Sequence, residues 1–392
     1  MRTVKRRNKR LAVAFVVAII LGWLFYSHGK LATKSLCFLI QSPVSTAEVE
    51  HPIISLIVPL SGSFARDGEM FKKGAKIAWK EIHKKEGVGK LEIYDGNKEP
   101  KVLCSLIQRL VRQNNILAVV VHLPVRGLSL IIPTLEKGQL PTLVPAISHQ
   151  SLYHYNWIFP MLPSDRMEGF LAAKVIWGWD RKGRSRVGVV RFAGGYGEVV
   201  ESGFRLAAKQ LNLTYKCFYV RSDSDSMDSW ASRVIKEGFN ILWVVGPPAS
   251  AAEFVEALLE QGYRGRILLP HTFSMVDPGD VVREGSRKLY MLSPIVPEDG
   301  GNRRDNFVAD FRRQYWQEPD ELSMLAYDAV SWLGQCLCEG VRTRLALKKC
   351  LVNCNSATNG YHGCAGVFYF VNGLIHHPLA VVPYYRGGHL LP

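Results

Sequence analysis

From His51 onward, short apolar runs alternate with longer stretches in which apolar and charged positions fall on opposite helical faces. Ile53, Ile54, Leu56, Ile57 and Val58 form the first run. Its β-branched residues suit a strand covered on both faces, as in a parallel sheet. Pro59-Leu60-Ser61-Gly62 ends it. The helix predicted next places Phe71, Ala75, Ala78 and Ile82 on one face and the lysines at 72, 73, 76, 80 and 84 largely on the other. The same alternation continues with strands predicted at 90–94, 116–121, 140–144 and 157–161. Helices are predicted from Pro100 to about Gln113 and from about Gly127 to Lys137.

Near Pro163-Ser164-Asp165 the pattern restarts, with Ser164 or Asp165 as helix cap. Strands follow at 187–192, 215–220, 241–245, 267–269 and 288–292, with helices at 198–211, 229–236 and 249–261. Gly194-Gly195-Tyr196-Gly197 reads as a loop. Two successive blocks of this kind predict an α/β fold of two lobes, each a doubly wound, mostly parallel sheet. A cleft between lobes is the expected ligand site. The last third changes character: helices at 306–316, 321–338 and 344–352 precede two strands, 367–371 and 379–385, joined by Asn372-Gly373.

The chain of 392 residues carries a formal charge of +15, but six of its cations lie between Arg2 and Arg10. They directly precede the apolar run Leu11 to Tyr26. This is the layout of a secretory signal, and the run is almost long enough for a signal-anchor. The positive-inside rule leaves the basic end in the cytoplasm and exports the remainder. Residues 1–29 are therefore read as signal peptide or anchor, cleavage being left open, and 30–50 as a tether. The remaining basic surplus is spread thinly, and no nucleic-acid-binding signature is present. Eight cysteines, five of them after residue 335, fit an exported chain and a local disulfide, for example among Cys350, Cys354 and Cys364. No CxxC pair or regular histidine spacing marks a metal site.

No chemistry beyond binding is visible. The glycine-rich stretch at 194–197 lacks the P-loop lysine and the dinucleotide-binding spacing. GxSxG, HExxH and calcium-loop patterns are absent. Asp223, Asp225 and Asp228 read as a solvated loop and helix start. No cofactor and no metal is expected, and no catalytic constellation is found.

Several pieces in order resemble the leucine/isoleucine/valine-binding protein family, the type 1 periplasmic solute receptors of ABC importers. They are VPLSG at 58–62, GAKIAWKEI at 74–82, DGNKEP at 95–100, VVHLPV at 120–125 and LPTLVPAIS at 140–148. FPMLPSD at 159–165, YGEVVESGF at 196–204, LAYDAV at 325–330 and the closing strand–Asn-Gly–strand complete the set. The resemblance implies two lobes, 51–163 with 293–365 and 164–292 with 366–392, joined by three crossings and closing on a small solute.

It also implies where that solute sits. Family members hold an α-carboxylate with loops that here are His122–Arg126 and Ala146–His149, and Ala146 and Ser148 suit that role. Val125 replaces the expected serine, and the neighbouring Arg126 is either a carboxylate ligand or a surface charge. Asp67 stands where an aromatic often covers the ligand. Tyr196 matches a ligand-contacting tyrosine, Gly246 lies on the next loop, and His271 replaces an acidic residue that binds the ammonium group. The implied function is an extracytoplasmic receptor that delivers a small polar molecule to an ABC permease and catalyses nothing. The alternative is a membrane-anchored sensor or assembly module on the same fold.

Overall fold

The computed structural model describes residues 48–86, 89–180, 183–221, 226–276 and 288–384. The basic cluster, the run at 11–26, Cys37, Asp223 and Asp225 lie outside the described residues. Among the described residues no helix is long and apolar enough to cross a membrane.

Two parallel sheets carry the architecture. The first takes β1 (Ile53–Val58), β2 (Lys90–Asp95), β3 (Ile116–Val121), β4 (Thr142–Val144) and β5 (Ile158–Pro160) in the order β2-β1-β3-β4-β5. The second takes β6 (Val187–Phe192), β7 (Tyr215–Val220), β8 (Ile241–Val245), β9 (Arg266–Leu269) and β10 (Leu289–Ser293), and repeats that order with one extra edge strand. Strands β1 and β3 are almost wholly buried, as their continuous β-branched runs predict for a sheet with helices on both faces.

Helices α1 (Ala65–Glu86), α2 (Pro100–Arg112) and α3 (Val125–Lys137) connect the first sheet. Helices α4 (Asp165–Trp179), α5 (Gly195–Gln210), α6 (Met227–Lys236) and α7 (Pro248–Glu260) serve the second. Then come α8 (Pro297–Tyr315), α9 (Glu321–Cys338) and α10 (Arg344–Asn353). Helix α9 is apolar nearly all round and lies in the core of the first sheet, packed along α1.

Three details differ from the sequence-based expectation. Helix α5 starts at Gly195, so the glycine-rich stretch is a helix start and not a loop; Gly194, at φ 128°, turns the chain into it. Helix α3 starts at Val125, which moves Val125 and Arg126 from a loop into a first helical turn. Asn372-Gly373 does not join 367–371 to 379–385. Both turn residues have positive φ, which returns the chain at once, so β12 (Val367–Val371) pairs with β13 (Leu374–His376). The next strand, β14 (Ala380–Pro383), pairs antiparallel with β10 at the edge of the second sheet. A short β11 (Tyr361–His362) completes the hairpin sheet. Phe368, Phe370 and Ile375 of that hairpin pack in the core of the first sheet.

The disulfide also differs from the pairs considered. It joins Cys336, near the end of α9, to Cys350 in α10, with 6.3 Å between Cα atoms. Cys354 and Cys364 are free thiols, the latter buried against the Met324 carbonyl.

Candidate functional site

Loops leaving the carboxyl ends of both sheets converge on the first turns of α4 and α9. Ser164 caps α4 by accepting from the Met167 amide, and this fixes Asp165 and Glu168, three residues apart, on one face of the first turn. Both carboxylates are buried, Glu168 completely. From the first sheet, the turn after β4 brings Ser148, whose hydroxyl donates to Asp165 Oδ1 at 2.6 Å. From the second, the turn after β9 brings His271. Its amide donates to Glu168 Oε1 at 2.7 Å, and its Nδ1 lies 2.9 Å from the same oxygen. His271 Nε2 is 3.5 Å from Ser148 Oγ, a contact that joins the two sheets' loops directly. Tyr196, in the first turn of α5, donates its hydroxyl to Glu168 Oε2 at 3.2 Å and lies 3.4 Å from Thr272 Oγ1. Three of the expected residues, Ser148, Tyr196 and His271, thus meet in one buried network.

The electrostatics follow from this burial. Burial opposes protonation of His271, but the surrounding carboxylates, Glu168 foremost and then Glu321 and Asp165, together outweigh it and hold the pKa at about 9. Burial raises Asp165 to about 6, partly offset by the Ser148 hydrogen bond. Glu321, the first residue of α9, is raised by burial to about 7, with His271 acting in the opposite direction. Ser274, on the same turn as His271, hydrogen-bonds the Glu321 carboxylate.

The other expected residues sit around or outside this network. Ala146 is partly buried on the Ser148 turn. Gly246 is buried against Phe192, whose ring stands where a β-carbon would be. Asp67 is half-buried in the first turn of α1, its carboxyl raised by burial, close enough to Asp320 to raise that group too. Val125 and Arg126 are exposed and take no part in the network. His122 contributes something the sequence did not show: it is buried, stacks on Phe71 with centroids 5.1 Å apart, and its Nδ1 has no partner among the described residues. Burial lowers its pKa to about 4. A cavity of about 590 Å³ lies elsewhere, at the amino ends of β8, β9 and β10, lined by Trp179, Tyr263, Arg266 and Lys288 among others; it holds none of these groups.

The periplasmic binding protein family model matches residues 54–384. The chain belongs to that family. Solved structures share the fold of this periplasmic binding protein. An ABC transporter substrate-binding protein from Desulfitobacterium hafniense, in complex with Leu, is 19% identical with a TM-score of 0.72, covering 87% of this chain and 99% of its own. A leucine-binding protein from Thermotoga maritima is 19% identical, TM-score 0.68, covering 86% and 96%. A solute-binding protein from R. palustris, in complex with benzoate, is 14% identical, TM-score 0.64, covering 87% and 95%. No curated protein matches by sequence. Membership in the family makes the two-lobed type 1 fold plain and places the chain outside the cytoplasm.

Sequence reading missed Asp165 as a site residue, and Glu168 and Glu321 altogether. Each lies in a first helical turn, where an acidic residue has a sufficient local reason to stand. The available signal was that Asp165 and Glu168 are both acidic and share a helical face that the fold buries.

Proposed function

We propose that this periplasmic binding protein is a solute receptor that closes its lobes on a small polar ligand, such as an amino acid, an amide or a related compound, and delivers it to an ABC-type permease. One observation carries this: the Asp165–Ser148–His271–Glu168–Tyr196 network ties loops from the carboxyl ends of both sheets, where open α/β sheets bind ligands. Ligand contacts shared by two lobes are what drive hinge closure. We assign the lobes as 51–163 with 293–365 and 164–292 with the tail. The packing of Phe368, Phe370 and Ile375 in the first core moves that boundary, so that the hairpin to His376 goes with the first lobe and the tail given to the second begins after it. We assign the protein no catalytic role, and infer that residues 11–26 direct its export as signal peptide or membrane anchor.

Thermal unfolding of the full-length chain across amino acids, amides, small carboxylates and polyamines tests this reading. A ligand at about 100 times its dissociation constant adds about 2.7 kcal/mol of stability. Ser148→Ala or Tyr196→Phe is expected to remove that gain. A folded chain that no solute stabilises would refute the receptor and favour an anchored assembly module, for which the apolar run at 11–26 is the supporting feature.

A further inference from the structure

Helices α1, α4 and α9 all begin around the site, and each brings its own carboxylate. Asp67 is in the first turn of α1, Asp165 and Glu168 in that of α4, while Asp320 caps α9 and Glu321 opens it. A helix start ordinarily attracts an anionic ligand. Here that potential is already met from within: the Asp320 carboxylate, for example, accepts the Ser323 amide at 2.8 Å. In the buried part of the site, Asp165, Glu168 and Glu321 face a single cation among the described residues, His271.

These carboxylates differ in how well they are satisfied. Glu168 receives the His271 ring and amide on one oxygen and the Tyr196 hydroxyl on the other. Asp165 receives Ser148. Glu321 is 7% exposed and receives Ser274, but its Oε2 has no hydrogen-bond partner among the described residues. His271 feels the charge of Glu321, yet both of its ring nitrogens are engaged, one by Glu168 and one by Ser148. A buried carboxylate oxygen without a donor is unfavourable, and a charged donor is its strongest partner.

We propose that the cleft selects a solute bearing a protonated amine and lacking a carboxylate, with Glu321 Oε2 as the anchor of the ammonium group. This rests on the receptor reading above and narrows its solute class. The charge of His271 is neutralised by Glu168, so the site keeps an anionic surplus that attracts an ammonium group. A carboxylate entering it meets the carboxyl groups of Asp165 and Glu321 and, among the described residues, no cation free to pair with it, because His271 is held by Glu168 and Arg126 is exposed and outside the network.

Calorimetric titration of the full-length chain with 1,4-diaminobutane, L-leucine and benzoate tests the assignment. The expected result is that the diamine binds at least tenfold more tightly than the other two, and that the isosteric Glu321→Gln weakens it at least tenfold. Leucine or benzoate binding as tightly as the diamine, or a diamine affinity unchanged in E321Q, would overturn the amine assignment and leave the receptor standing. Silence from all three, in a folded chain that the wider solute library also fails to stabilise, overturns both. If E321Q does not fold, the ranking of the three solutes on the unaltered chain decides by itself.

Discussion

At the residue scale, His271 holds the site together, and its protonation is linked to stability. Its pKa is raised from an ordinary 6.5 to about 9, so its contribution is complete below about pH 6.5 and is lost as pH rises through about 9. Asp165 and Glu321 act in the same direction at lower pH. Each binds its proton more tightly folded than unfolded, so stability also falls as pH rises through about 6 and about 7. Urea unfolding between pH 6 and pH 9 should therefore show a falling midpoint, with His271 accounting for at most about 3 kcal/mol. His271→Gln should be less stable at pH 6 and should fall less steeply across that range, the slope that remains coming from Glu321. A wild-type midpoint that does not move would contradict the ion pair with Glu168. The sequence singled out His271 as a candidate, but not the partner it meets. Nothing in a linear chain shows that Glu168, 103 residues earlier, lies beneath its amide.

At the scale of elements, close helix pairs set the framework. Gly74 on α1 faces the backbone of α9 so tightly that an added β-carbon would stand 1.9 Å from the Ser323 carbonyl oxygen. On the second sheet, Gly169 of α4 and Gly203 of α5 make the reciprocal approach, each about as close to the other helix's backbone. That approach places Glu168, next to Gly169, within reach of Tyr196 on α5. Gly74→Ala is expected to destabilise the fold by about 1–3 kcal/mol, as overpacking does, seen as a lowered thermal midpoint with the secondary structure retained. No change in midpoint would mean that α1 and α9 can separate freely. Helix and strand identities were largely readable from periodicity. Element starts were less so: the first turns of α3 and α5 carry glycine or β-branched residues, Val125 and Gly195, that read locally as loop.

At the scale of the whole molecule, the chain passes between the two sheets at places tied by buried polar contacts. Asp328 of α9 accepts the amides of Cys364 and Ala365 at 2.7 and 2.8 Å, and Val296 donates to the Ala365 carbonyl. His377, just before β14, reaches the Pro294 carbonyl at 2.6 Å and the Val367 carbonyl at 3.0 Å. These contacts fix the crossings, while Ser148 with His271 and Glu321 with Ser274 hold the site side. Removing the site-side contacts should therefore loosen the site and spare the crossings. In a Ser148→Ala/His271→Ala double variant, amides at 146–149 and 271–274 should exchange hydrogen several-fold faster, with those at 363–366 unchanged. Uniform acceleration would instead indicate general destabilisation.

By itself the sequence determined the two α/β blocks, the order of their elements and the positions of Ser148, Tyr196 and His271 near strand ends. It could do so because burial imposes a period on each strand and helix, and that period is local. Tertiary structure decided the rest. It turned the Asn372-Gly373 hairpin onto the first core, paired Cys336 with Cys350, and carried Arg126 away from the site. It also brought Asp165, Glu168 and Glu321 around one histidine. Those outcomes depend on which surfaces meet across more than a hundred residues, and an acidic residue in a first helical turn looks the same in sequence whether it faces water or a buried imidazolium.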